Sequence, residues 1–251
     1  MLFDSHLHLD QLSDENIQKT LGDSKITGML AVSTNLKSAK KLLNLKQIYP
    51  GKLYIAAGFH PEQPLFNLEE REELFQWIDE HHSSISAIGE VGLPHYSKRE
   101  NSNLDYVPYI ELLERFILIA KKWDLPLNLH IVHNDVDIAL ELLEKHNIQH
   151  AHFHWFKTDE KSFHKFLSTP YFASLTPDIL WNHKTQYVAQ HLSLNRLMIE
   201  TDSPWPHEGF ESVVISEQLF AVVKKVAELK SLPLHYVQEQ MLLNTQQFYR
   251  L

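Results

Sequence analysis

Near the start of the chain stands Leu2-Phe3-Asp4-Ser5-His6-Leu7-His8-Leu9-Asp10. An apolar run that closes on two histidines one residue apart reads as a β-strand. Side chains at i and i+2 leave an extended backbone on the same side, so both imidazoles can reach one cation. Four later segments end in the same manner, each a short, largely apolar run stopping at a group able to bind a metal. They are Ala87-Ile88-Gly89-Glu90, Leu127-Asn128-Leu129-His130, Ala151-His152-Phe153-His154 and Leu197-Met198-Ile199-Glu200-Thr201-Asp202.

Outward from these segments, apolar runs alternate with amphipathic stretches along all 251 residues, with no low-complexity linker and no break in composition. The pattern predicts strands over 2–5, 27–33, 53–58, 86–89, 127–131, 151–153, 171–175 and 197–201. Helices are predicted over 38–48, 69–81, 109–122, 136–145, 159–167 and 184–191, with two more near 216–229 and 233–249. Eight strands separated by helices in a chain of this length predict an α/β fold, a single (β/α)8 barrel of the TIM type with residues 1–251 as one domain. A doubly wound open sheet is the alternative, but no glycine-rich phosphate loop follows any strand. The longest connection, 94–108, follows the fourth strand, on the side of a barrel where active sites are built, and another, 203–213, follows the last strand. They carry Tyr96, Lys98 and Arg99, and Trp205, His207 and Phe210.

The chain has no cysteine, which excludes disulfides and thiolate zinc sites. Its 32 acidic against 23 basic residues give a net charge of −9. That balance argues against a broad basic surface for nucleic acid, which needs many Lys and Arg contacts to phosphate. It leaves open a nucleic acid held locally through metal ions. No apolar run approaches the ~20 residues needed to cross a bilayer. A first strand beginning at Leu2 leaves no room for a secretion signal, so a cytoplasmic location and no membrane association are expected.

In a barrel the C-terminal strand ends converge at one mouth. His6, His8, Glu90, His130, His154 and Asp202 would meet there from five strands. Imidazole and carboxylate suit zinc, manganese or magnesium, and six convergent groups exceed the needs of one tetrahedral ion. Two divalent metal ions bridged by a carboxylate would use them all. Glu90 ends a buried strand beside glycines, where an unpaired carboxylate is costly. His152 competes with His154, and Glu200 with Asp202, because each pair shares a face; spacing alone does not choose between them. His81, His82, His133, His146 and His150 are expected on solvated loops or helix ends.

Several pieces occur together and in order: Asp4 to Asp10, Gly58-Phe59-His60-Pro61, Gly89-Glu90-Val91-Gly92-Leu93, Leu125-Pro126 with His130, His152-Phe153-His154-Trp155-Phe156, Glu200-Thr201-Asp202-Ser203-Pro204, and the terminal Asn244 with Phe248. In this the chain resembles the TatD family of metal-dependent hydrolases, within the amidohydrolase-like group of barrels. The resemblance implies that His6, His8 and Asp202 hold one metal, His130 and His154 a second, and that Glu90 bridges them. It favours His154 over His152, and leaves Glu200 to orient a ligand from behind. It further implies that Asp202 takes the proton from the attacking water and that His60 faces the substrate, within reach of a phosphate.

The expected activity is TatD-like DNase cleavage of phosphodiesters in DNA or another nucleic-acid fragment, with no obligate protein partner. Hydrolysis of small esters, amides or aminoacyl-tRNA esters on the same centre is the alternative, and a barrel that binds metal without catalysis is the third reading. The chain departs from the family pattern in three places. Pro94 replaces an acidic residue and Val132 an arginine, while a His-Cys-Phe-Ser-Gly stretch reads His154-Trp155-Phe156-Lys157-Thr158 here.

Overall fold

Eight parallel strands follow one another around a sheet in chain order: β1 (Leu2–Leu7), β2 (Ile26–Val32), β3 (Leu53–Ala57), β4 (Ala87–Gly92), β5 (Leu127–His130), β6 (Ala151–Phe153), β7 (Phe172–Leu175) and β8 (Leu197–Ile199). The computed structural model describes residues 1–210 and 215–251. Between and after the strands run α1 (Asp14–Gly22), α2 (Leu36–Ile48), α3 (Leu68–His81), α4 (His95–Glu100), α5 (Val107–Trp123), α6 (Asp135–Lys145), α7 (Glu160–Leu167), α8 (His183–His191), α9 (Ile215–Lys230) and α10 (Leu234–Tyr249). The architecture is the (β/α)8 barrel expected from the alternation of patterns.

Two helices escape the periodicity. α1 is mostly polar, with Ile17 and Leu21 as its buried apolar residues, and starts on a Ser13 side chain that accepts from the Asn16 amide. α4 lies inside the connection expected over 94–108 and buries none of its residues. The connection expected over 203–213 is described as far as Phe210, and residues 211–213 lie outside the described residues. Strands β1 and β4 also run beyond their predicted ends, to Leu7 and Gly92. His6 and Glu90 therefore sit within strands rather than past them, because the neighbours continue the ladder at Leu7↔Ala31 and Gly92↔His130.

Alternate residues of the strands face two apolar regions. Met29 and Ala31 join the large core between sheet and helices. Leu30 and Val32 face a smaller cluster with Phe3, Ala56, Ala87 and Met198. Phe248 and Tyr249, from the end of α10, fill one end of that smaller cluster. Among the described residues no helix is long and apolar enough to cross a membrane.

The seam between the first and last strands is closed by the site itself. The Asp202 amide donates to the His6 carbonyl at 3.0 Å, and the His8 amide to the Ser203 carbonyl at 2.7 Å. The Asp4 carboxylate reinforces it, accepting from the Thr201 amide at 3.1 Å and the Thr201 hydroxyl at 2.6 Å. Asn244 on α10 donates to the carbonyls of Leu194 and Leu197, both at 2.7 Å, which fixes the start of β8.

Close approach explains the glycines around Glu90. A Cβ on Gly92 would lie 2.0 Å from the His130 carbonyl oxygen, and one on Gly58 2.6 Å from that of Glu90. Backbone atoms cannot yield as a side chain can. Gly92→Ala is expected to destabilise the fold by about 3 kcal/mol, read as a lower midpoint in thermal unfolding; an unchanged midpoint would contradict the packing described.

Candidate metal centre

Six groups expected from the sequence to converge do so, at the mouth of the barrel. Glu90 is their centre, and its two oxygens face different partners. Oε2 lies 3.5 Å from His6 Nε2 and 3.3 Å from His8 Nε2. Asp202 Oδ1 completes that side, 3.3 and 3.4 Å from the same two nitrogens. Oε1 lies 2.7 Å from His130 Nδ1 and 2.8 Å from His154 Nε2. Those two ring nitrogens are themselves 3.0 Å apart.

All six residues are buried, yet His6 Nε2, Glu90 Oε2 and Asp202 Oδ1 make no hydrogen bond. Orphaned buried polar atoms cost free energy unless something completes them. A divalent cation fits this donor set of imidazole nitrogens and carboxylate oxygens. Without one, the carboxylates draw protons onto the rings: against the penalty of burial, Glu62 and Glu90 lift His130 to about 9, and Glu90 and Asp202 raise His6 and His8. Glu90 itself is pulled far below the usual carboxylate range, with burial opposing and the surrounding histidines prevailing.

Groups behind the rings decide which nitrogen faces inward. His6 Nδ1–H donates to the Asn128 side-chain oxygen at 2.8 Å, so Nε2 is the nitrogen that faces the cluster. His154 Nδ1 lies 3.4 Å from Glu200 Oε1, leaving Nε2 for Glu90. Such outer partners fix ring orientation and raise ligand basicity. Glu200 in turn accepts from the Trp155 amide at 2.6 Å and from the Ser174 hydroxyl.

His152, the competitor of His154, points deeper into the barrel. Its Nε2 bonds the Ser174 hydroxyl at 2.6 Å, and its Nδ1 meets the Tyr249 hydroxyl at 2.6 Å. Burial holds its ring neutral. Asp202 adopts a left-handed backbone, φ 53°, which aspartate tolerates.

His60 lies 3.7 Å from Glu90 Oε1 through Nε2, close enough to Glu90 and His130 to form a third ligand group. Its tautomer argues otherwise. The Glu62 amide donates to His60 Nδ1 at 3.1 Å. Burial lowers its pKa to about 4, so the neutral ring carries its proton on Nε2. His60 therefore presents an N–H donor to the mouth.

Sequence reasoning missed Glu62. Its carboxylate accepts from the Tyr96 and Ser97 amides at 2.7 and 2.8 Å, and its Oε1 lies 3.6 Å from His130 Nε2. Burial opposes the charge, but His130 and these bonds lower its pKa to about 2. It thus ties α4 to the far nitrogen of His130. Glu62→Gln is expected to weaken binding of the cation beside His130 about 10- to 100-fold, measured by metal titration; unchanged affinity would show that Glu62 only anchors α4.

Of the histidines expected in solvent, His150 is exposed. His81 and His82 are half-buried and stack on Trp77 and Trp123, while His146 bonds Glu114 at 2.6 Å. His133 stands at the rim, 4.8 Å from the His95 ring. Stacking and ion pairing cover these rings, and loop or helix-end position alone carries no sign of either.

The mouth opens into a cleft of about 1010 Å³, whose walls include Glu62, Tyr96, Arg99, Trp155, Lys157 and Trp205. A parallel barrel whose mouth gathers imidazoles and carboxylates around unsatisfied atoms is the architecture of a metal-dependent hydrolase. The family model described as TatD related DNase matches residues 3–250, and the chain belongs to that family. A Haemophilus influenzae protein described as an uncharacterized metal-dependent hydrolase is 88% identical over 251 residues, covering 100% of both chains. The human protein deoxyribonuclease TATDN3 is 25% identical over 214 residues, covering 81% of this chain and 78% of its own. Among solved structures, the Escherichia coli TatD homologue YjjV superposes with a TM-score of 0.83 at 24% identity, covering 100% of this chain and 98% of its own.

Proposed function

We propose that this metal-dependent hydrolase of the TatD family cleaves phosphodiester bonds of nucleic acid with two divalent cations. His6, His8 and Asp202 would hold one, His130 and His154 the second, and Glu90 would bridge them. The observation that carries this reading is the division of Glu90, with Oε2 facing His6 and His8 and Oε1 facing His130 and His154. Cations in such a site act as Lewis acids on a phosphoryl oxygen and favour hydroxide over water as nucleophile.

The chain's own groups supply the rest. Asp202, beside both His6 and His8, accepts the proton of the attacking water. His60 donates its Nε2–H to a phosphate oxygen and, with that nitrogen protonated and Nδ1 taken up by the Glu62 amide, offers no lone pair to a cation. Glu200, Asn128 and Glu62 keep the ring nitrogens of His154, His6 and His130 in place, which limits loss of alignment. The cations also explain how a chain of net charge −9 accepts an anionic substrate.

Val132 favours a second reading. It is buried where the family pattern has an arginine, so no guanidinium reaches a phosphate from this position, and a small carbonyl ester would be polarised by the same cations. The test is a substrate panel with measured metal content. Single-stranded DNA and a small phosphodiester are compared with carboxylic esters, each in zinc, manganese or magnesium. Metal-dependent release of nucleotides supports the first reading; cleavage of esters alone replaces it with the second.

A further inference from the structure

Five tryptophans occur in the chain, and Trp155, Trp181 and Trp205 all line the cleft beside the cluster. Trp205 is 57% exposed and Trp181 42%, so neither serves the core. Scattered exposed aromatics are ordinary, but three around one cleft are not. The Trp155 ring centroid lies 5.9 Å from that of Trp205 and 5.3 Å from His207, and Trp181 lies 6.5 Å from His207.

Trp155 is held firmly. Its indole N–H donates to Asp178 Oδ2 at 2.8 Å, and Lys157 Nζ sits 3.8 Å from its ring centroid. Its backbone is left-handed, φ 40°, a conformation that costs a bulky residue free energy and is kept only where the surroundings enforce it. Lys157 is buried, and its nearest carboxylate, Asp178, is 3.9 Å away. Burial works against its charge, which Asp178, Asp202 and Glu200 support from a distance, and the side chain lines the cleft where an anion could reach it. Trp155 follows β6, Trp181 follows β7 and Trp205 follows β8, so three successive connections at the barrel mouth build this wall.

From this juxtaposition we infer that the wall formed by Trp155, Trp181, Trp205 and Lys157 is a subsite for a single-stranded nucleotide, stacking its base on the exposed indole of Trp205 and pairing its phosphate with the Lys157 ammonium. The inference rests on the nucleic-acid reading above and names the part of the substrate that lies beside the scissile bond. A duplex keeps its bases stacked inward, so the subsite selects single strands or frayed ends. Because every base has a π-face, it discriminates little between bases. The cleft, at about 1010 Å³, has room for a nucleotide beyond the phosphate at the cluster.

The test uses two five-residue oligonucleotides with hydrolysis-resistant phosphorothioate links. One is oligothymidylate, and the other carries abasic tetrahydrofuran residues in place of the nucleosides. Binding to the metal-loaded protein is followed by tryptophan fluorescence, and cleavage is followed on the phosphodiester versions. The oligothymidylate is expected to quench fluorescence and to bind roughly 5- to 150-fold more tightly than the abasic strand. Trp205→Ala is expected to remove that preference, raising KM for the base-bearing strand, whereas Trp205→Phe keeps most of it. Lys157→Ala is expected to weaken both strands alike.

Equal affinity for the two strands overturns the subsite, as does an unchanged preference in Trp205→Ala or quenching by phenylalanine ethyl ester and by neither strand. The two failures are distinguishable. Cleavage of both strands with equal KM removes the subsite and leaves the hydrolase reading intact. Base-dependent binding with no cleavage of either strand leaves the subsite and removes the phosphodiesterase.

Discussion

Asp202→Asn is expected to lower kcat by at least about 10³-fold while leaving the fold intact. Two losses combine at this position. A positioned general base, the role proposed for Asp202, contributes typically about 10²- to 10⁴-fold, and an amide would offer no negative oxygen to a cation held beside His6 and His8. Asparagine keeps the shape of aspartate and tolerates the left-handed backbone at φ 53°. The backbone bond from residue 202 to the His6 carbonyl does not involve the side chain. Circular dichroism and the thermal midpoint should therefore change little. A variant that hydrolyses the wild-type substrate at more than a tenth of the normal rate would remove Asp202 from the chemistry.

Restoring zinc or manganese to chelator-stripped protein is expected to raise its melting temperature by roughly 5–10 °C. A cation that binds only the folded state stabilises it by about 2.7 kcal/mol at a hundredfold excess over Kd. For a chain of this size each kcal/mol moves the midpoint by about 2–4 °C. The stripped protein keeps buried atoms of His6, Glu90 and Asp202 without hydrogen bonds, and these are the groups the cation would satisfy. Glu90→Gln should reduce both the shift and the number of ions bound, since one carboxylate serves both sides. Identical melting curves with and without every divalent metal tried would show that the cluster holds none.

Much of this arrangement is legible in the chain because the barrel converts a one-dimensional rule into a three-dimensional one. A polar residue at the C-terminal end of an apolar strand must arrive at the common mouth, so His8 and His130 could be placed from their segments. The choice between His152 and His154 was not accessible in this way. Both leave the strand on the same side, and they differ only in depth, which is set by the Tyr249 hydroxyl meeting His152 from nearly a hundred residues away. Glu62 was hidden for a similar reason. It stands in an irregular loop, and its meaning comes from Tyr96, Ser97 and His130, which only the fold brings near. Helix α1 gave little signal because Ile17 and Leu21 are its buried apolar residues.

The seam between the first and last strands couples the integrity of the ring to that of the cluster. The backbone bonds that join the two strand ends run from residue 202 to His6 and from His8 to Ser203, through the same residues whose side chains meet in the mouth. Parting the barrel at this joint would carry Asp202 away from both imidazoles, so local opening there would dismantle half of the cluster while the rest of the sheet stayed paired.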